Sequence, residues 1–317
     1  MYNPLSIVFG NSLLTSKFKE WKKFRKIMEP TFSNRIIDSY VSTFHEKSQR
    51  MADLLQERCH GEPFNMADYS LPCALEMLSE TSLGVPMNIQ EHMVSTMVEN
   101  PGLLSIEELQ DQVMVGIAAG TDTTAYAVAT TLMLLGLHQD VQRKVLEEQE
   151  SIFGKDTSQP VTTRDLQQMV YLEQVINETM RLYPILPIMA RRVDEDVSVN
   201  SYTLPAGTIV IIPIYLVHRN PEYFPNPDTF DPDRFSRKNI ASRLACSFIP
   251  FSYGRKKCLG KSYAYMAMKT MLSVLLRRYE VLECGSREDM ECFEFEFFFK
   301  FKHGHSIRLR QRTVVIK

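Results

Sequence analysis

The stretch from Val113 to Leu137 limits the possible folds more than any other, because it is apolar over a length that allows only two outcomes. It either crosses a bilayer as a helix or runs as one long helix buried in protein. Asp122, near its centre, would cost about 3 kcal/mol in a bilayer. Gly116, Gly120, Thr121, Thr123, Thr124 and Thr130 dilute the apolar gain further. The sequence therefore favours a buried helix around which the remaining elements pack. Ser105 marks its start. The serine hydroxyl can cap the first turn while Glu108 reaches back to the backbone, a box worth roughly 1 kcal/mol. The helix is expected to continue past Leu137.

A core to surround it is available, since 44% of the 317 residues are hydrophobic. With 36 basic and 38 acidic residues the net charge is only -2, so nucleic acid is not an expected partner. The six cysteines (Cys59, Cys73, Cys246, Cys258, Cys284 and Cys292) lack the paired spacing of a disulfide framework or a zinc knuckle, which favours a reducing compartment. Met1 to Trp21 holds apolar clusters such as Leu13-Leu14 but no run long enough to span a bilayer, so no N-terminal anchor is expected.

Apolar residues three and four apart predict helices over Ile36 to Glu57 and Leu71 to Leu83, and another from Asp165 to Leu182, stopping before Pro184. Pro187, Asn200, Pro205 and Gly207 then punctuate short β-branched runs, and Val197 to Ile214 reads as a small sheet. His218 to Phe235 carries Pro221, Pro225, Pro227 and Pro232, so an extended meander is expected there. After Gly260 a core helix follows, with Ala264, Ala267, Met268, Met271, Leu272 and Leu275 on one face. Phe293, Phe295, Phe297, Phe299 and Phe301 alternate with charged residues, and Gly304 allows a turn into Ile307 and Leu309; this predicts a hairpin with one aromatic face. Without an internal repeat or a low-complexity linker, residues 1–317 read as one domain.

The segment from Phe251 through Gly254, Lys256 and Cys258 to Gly260 sets a cysteine between two glycines, among basic residues and just ahead of a helix. Free N–H groups at the helix start and nearby cations favour a thiolate, and the glycines let a bulky group approach the backbone. A lone cysteine is more often an ordinary buried residue. This segment, however, resembles the haem-binding signature of cytochromes P-450, F-x-x-G-x-R-x-C-x-G, with Lys256 in place of the arginine. Lysine keeps the charge that would meet a haem propionate and loses the bidentate geometry. The resemblance implies a mainly α fold with small β-sheets, and haem b bound non-covalently except for the Cys258-iron bond. It also implies oxygen activation rather than oxygen carriage.

Other segments resemble the same family. Ala119-Gly120-Thr121-Asp122-Thr123-Thr124 is similar to its [AG]-G-x-[DE]-T-T motif, in which Ala119 and Gly120 lie against the cofactor. Thr123 can bond back to the Ala119 carbonyl and bend the helix. Asp122 then implies a proton-relay carboxylate and Thr123 its hydroxyl partner in oxygen activation. Glu178-Thr-Met-Arg181 and Pro232-Asp-Arg234-Phe235 resemble E-x-x-R and P-x-R-F, so Glu178, Arg181 and Arg234 are expected to form a buried structural cluster. Trp21 and Arg25 resemble W-x-x-x-R, which reaches a haem propionate, and Arg192, just before a strand, matches a further propionate arginine by position. Lys17, Lys19, Lys22, Lys23 and Lys26, with Arg255, Lys257 and Lys261, imply a docking face for an electron donor. In this family that donor is NADPH-cytochrome reductase, with cytochrome b5 as a second candidate.

The resemblance runs from about Leu13 to Arg312, and the flanking text (Leu14-Thr15-Ser16 and His218-Arg219-Asn220-Pro221) looks like animal microsomal family-4-type members. Ala119 stands where omega-hydroxylases of that group carry a glutamate that can esterify the haem, so no covalent link of that kind is expected. Trp21 and Ala119 are closer in sequence than the family places them. The resemblance thus implies a chain truncated at its N-terminus and lacking the helices that roof the substrate pocket, lost around Gln90 to Glu91. The expected activity is insertion of one oxygen atom into an apolar substrate; the alternative is a non-catalytic haem-binding fragment. The endoplasmic reticulum membrane, on its cytosolic face, is the location the resemblance implies.

Overall fold

The computed structural model describes residues 5–83, 105–295 and 298–312. The junction near Gln90 and Glu91 lies outside the described residues. Seven helices carry the architecture among those described: α1 (Phe18–Met28), α2 (Val41–Leu55), α3 (Ala67–Leu78), α4 (Ile106–Leu137), α5 (Gln139–Phe153), α6 (Val170–Leu182) and α7 (Lys261–Arg278).

Helix α4 is the buried central rod anticipated from its composition. The Ser105 hydroxyl accepts the Glu108 N–H at 3.0 Å, and Glu108 accepts the Ser105 N–H at 2.9 Å, completing the box at its start. From Tyr126 to Leu135 nearly every side chain is buried. Among the described residues no helix is long and apolar enough to cross a membrane. The rod ends at Leu137 rather than continuing: His138 leaves helical geometry (φ -120°, ψ 73°), and α5 starts anew at Gln139. Met169 likewise splits the expected helix Asp165 to Leu182 into Thr163–Gln168 and α6. The expected helix Ile36 to Glu57 is broken before Val41, and Leu71 to Leu83 becomes α3, begun at Ala67 and closed by a π-turn over Ser79–Leu83.

The core joins α2, α3, α4, α6 and α7 in one cluster, with Phe44, Met77, Leu132, Leu135, Ile176 and Met271 fully or almost fully buried. Four small antiparallel sheets edge it. Strand β2 (Met189–Arg192) pairs with β5 (Ile209–Ile212), and β3 (Val197–Val199) with β4 (Tyr202–Leu204). Strand β7 (Phe293–Phe295) pairs with β8 (Phe299–Phe301) in the register Phe293 opposite Phe301. The aromatic hairpin therefore turns within the phenylalanine run. Ser306–Gln311 (β9) does not extend it, pairing instead with β1 (Phe64–Asn65) and β6 (Tyr279–Leu282). Neither β1 nor β6 announces itself in sequence, since one has only two residues and the other continues α7 directly.

Where α4 meets β6 the approach is close enough to need glycine. A Cβ at Gly136 would lie 2.9 Å from the Leu282 carbonyl oxygen. The meander from His218 to Phe235 holds only a short 3-10 turn, Pro232–Phe235, as its prolines require. Its anchor lies beneath it. Glu178 and Arg181 on α6 form a bidentate pair at 2.6 and 2.7 Å, both fully buried. Arg181 also donates to the carbonyls of His218, Pro227 and Thr229, and Arg234 comes within 3.5 Å of Glu178. Burial pushes the Glu178 pKa up, opposed by Arg181, the Asp231 N–H and Arg234.

Candidate active site

The loop from Phe251 to Gly260 folds back on itself. Ser252 and Gly254 take positive φ (64° and 76°), a region where glycine is unstrained and serine is not. The Cys258 N–H donates to the Phe251 carbonyl at 2.8 Å and the Lys257 N–H to the Gly254 carbonyl at 3.2 Å. Cys258 is left exposed at the end of the loop. Gly260 follows with φ -82° and caps α7; the space beside it borders Phe32 at an ordinary 3.8 Å. Of the two glycines, only Gly254 is therefore demanded by the backbone.

Cations reach this loop from two sides, and Lys256 within it adds a third. Helix α1 supplies Arg25, whose guanidinium donates to the Lys257 carbonyl at 2.8 Å, and Trp21, whose ring lies 5.4 Å from the Lys256 ammonium. Burial of Trp21 and Phe24 against the core fixes the face that α1 presents. From the other side Arg191 on β2 donates to the Ser252 hydroxyl at 2.7 Å. Partial burial and the charge of Arg191 lower the Lys256 pKa, against Asp194. At the sulfur the balance differs from the sequence-based expectation. Gly260, Arg25 and Lys261 each pull the thiol pKa down, but the protein crowding the sulfur outweighs them and raises it.

Arg192 is not brought to the loop. Side chains alternate along a strand. Arg191 is half-buried on the side of Met189, which also meets the Ser252 hydroxyl, and Arg192 is exposed at the strand end, within β2 rather than ahead of it. The residue sequence reasoning missed is Arg191; the signal was parity with the buried apolar Met189. Phe251 is held by Tyr265, at 5.3 Å between ring centres, another contact not read from sequence.

On α4 the Thr123 hydroxyl donates to the Ala119 carbonyl at 2.6 Å, as its helical spacing allows. Ala119 is exposed, Asp122 and Thr123 are half-buried, and the next turns sink into the core. Gly120 serves packing: a Cβ there would meet both methyls of Leu78 at 3.1 Å, so its smallness lets α3 approach α4.

A cysteine able to offer a soft thiolate, on a loop that Arg25 and Arg191 contact and that carries Lys256, with these cations as partners for carboxylates, fits a haem with its iron and propionates. No cluster of three or more metal-binding side chains exists among the described residues.

Comparison with known proteins agrees. The family model described as Cytochrome P450 matches residues 4–101 and 89–304, in two pieces that overlap. The chain is 30% identical to "Cytochrome P450 4c3" of Drosophila melanogaster over 91% of its own length and 71% of that protein's. It is 29% identical to "Cytochrome P450 4V2" of Homo sapiens over 92% and 72% of the two chains. "Cytochrome P450 4g1" of Drosophila melanogaster is 35% identical over 82% of this chain and 47% of its own. The stretch matched to 4c3 is 382 residues long, more than this whole chain, so the relative carries residues inside it that this chain lacks. The chain belongs to the cytochrome P450 family, the haem-thiolate monooxygenases.

Proposed function

We propose that this chain inserts one oxygen atom from O2 into an apolar organic substrate, using electrons passed from an NADPH-dependent cytochrome reductase, with cytochrome b5 as a second donor. Cys258 would hold the haem iron through its sulfur in this reading. Trp21, Arg25, Lys256 and Arg191 hold the propionates, and Phe251, Gly254 and Gly260 shape the loop beneath. The observation that carries it is the convergence of α1 and β2 on the Cys258 loop, which brings Arg25, Lys256 and Arg191 together at the loop that holds the cysteine. When bound, the haem supplies oxygen activation driven by electron density from the thiolate.

The remaining steps fall to the chain's own groups. The Thr123 proton is committed to the Ala119 carbonyl, so Thr123 Oγ1 presents lone pairs that can accept a hydrogen bond. Asp122, half-buried beside it, carries protons to that hydroxyl. Ala119 adds no carboxylate, leaving the haem attached through Cys258 alone. Lys17, Lys19, Lys22 and Lys26 on or beside α1 are exposed, as are Arg255, Lys257 and Lys261. Contact between Arg25 and Lys257 joins these two groups into one basic face suited to an acidic electron donor. Residues 1–317 act as one domain in this proposal, on the cytosolic face of the endoplasmic reticulum, where microsomal members work.

The test is the carbon monoxide difference spectrum of the reduced, haem-supplemented chain beside that of its Cys258→Ala variant. A thiolate-type Soret band in the parent that disappears in the variant is expected. Folded parent protein with no such band would overturn the assignment and leave a haem-free relative of the family.

A further inference from the structure

We infer that Tyr265 is a positioning residue for the Cys258 loop, acting through Phe251. Tyr265 sits one turn into α7, and its hydroxyl donates to the Asn177 side-chain oxygen on α6 at 2.5 Å. Asn177 is buried and directly precedes Glu178, whose carboxylate is locked by two bonds from Arg181 and one from the Asp231 N–H. The phenol is thus tied at its far end to a rigid part of the molecule. Its ring lies against Phe251 at 5.3 Å and under the Lys261 ammonium at 5.8 Å, two residues that bracket Cys258 in sequence. The Phe251 carbonyl in turn accepts the Cys258 N–H at 2.8 Å.

These contacts form one continuous support from the buried Glu178-Arg181 pair to the main chain of Cys258. A tyrosine that merely filled the core would need its hydroxyl satisfied, but by any acceptor and with no contact to the loop. Here the same side chain does both. Arg25 and Arg191 brace the loop at Lys257 and Ser252, whereas the Phe251 end, whose carbonyl receives the Cys258 N–H, is braced by Tyr265. Losing the hydroxyl anchor lets the ring tilt, frees Phe251 and loosens the backbone that aims the thiol.

The test is the rate at which the thiolate-type carbon monoxide band decays to a thiol-type band in a fixed, mild denaturant, measured on the haem-loaded full chain. Tyr265→Phe keeps the ring and removes the anchor; roughly 5-fold faster decay is expected, the worth of one buried hydrogen bond. Asn177→Ala removes the same bond from the other helix and should give the same acceleration. Ser273→Ala is the control, because it removes a buried hydrogen bond of α7 to Gln149, at 2.6 Å, away from the loop. It should lower the unfolding temperature while leaving the decay rate at the parent value. Decay at the parent rate in Tyr265→Phe and Asn177→Ala, or equal acceleration in Ser273→Ala, overturns the inference. A parent with no thiolate band overturns it together with Cys258 ligation, which the Cys258→Ala comparison reads separately.

Discussion

Arg191 and Arg192 are neighbours in sequence with opposite surroundings, one bonded to the Ser252 hydroxyl and the other exposed. Replacing Arg191 with alanine should weaken haem binding roughly 10-fold, about what one charge-assisted hydrogen bond contributes, while Arg192→Ala leaves it near the parent value. Titration of the haem-free chain, followed by the Soret absorbance, separates the two. Glu178 poses a different problem, since it serves two arginines and is fully buried. Glu178→Gln keeps the shape but strands Arg181 and Arg234 as uncompensated charge. A loss of about 3 to 5 kcal/mol in unfolding free energy is expected, read from the urea midpoint. Spacing in the sequence put Glu178 and Arg181 on one helix face, but such a pair is worth little on a surface. Only burial beneath the proline-rich meander makes it a cornerstone.

Helix α4 shows how a single element answers to several neighbours at once. Its start was readable from Ser105 and Glu108, because a capping box is local chemistry. Its end was not, because His138 and Gln139 turn the chain to meet β6: Gln139 and Gln142 both donate to the Val281 carbonyl, at 2.9 and 2.8 Å. Two glycines on α4 differ in the same way. Gly136 faces the backbone of β6, which cannot yield, whereas Gly120 faces the flexible end of Leu78. Gly136→Ala should therefore cost about 2 kcal/mol or more through strain, and Gly120→Ala clearly less, since Leu78 can rotate away and alanine favours the helix. Thermal unfolding of the two variants checks the order. The aromatic hairpin is the converse case. Alternation announced its strands, and the β7–β8 register then put Phe293 opposite Phe301 and left Ser306–Gln311 to a different sheet.

Across the whole molecule, acid sensitivity follows from two buried histidines. Desolvation pulls His218 down to about 3 and His305 down to about 4. His218 accepts the Ile249 N–H at 2.9 Å, which requires an unprotonated Nε2; His305 stacks on Tyr126 at 5.3 Å, inside the core. Both are neutral in the fold and titrate near 6.5 when unfolded. Below pH 6.5 the unfolded chain binds more protons, so stability falls as pH drops through 6.5 towards 4, and His218 extends the loss towards 3. Above 6.5 these groups contribute no slope. At pH 5 each should have cost about 2 kcal/mol, and His305→Asn should shrink the loss of unfolding free energy between pH 7.5 and pH 5 by about that amount, read from the urea midpoints.

Local spacing and side-chain chemistry were enough for the approximate course of the helices, the capping box of α4, the cysteine loop with its glycines, the Glu178-Arg181 pairing and the family resemblance, because none of these depends on distant partners. Only the folded molecule settles where helices break, which arginine of a doublet bonds Ser252 in the Cys258 loop, that Gly120 meets Leu78, and that crowding outweighs the nearby charges at the thiol. Each of these depends on what a remote segment places beside the residue. Burial and desolvation are properties of that surrounding, so they come into existence only when the chain has closed around them.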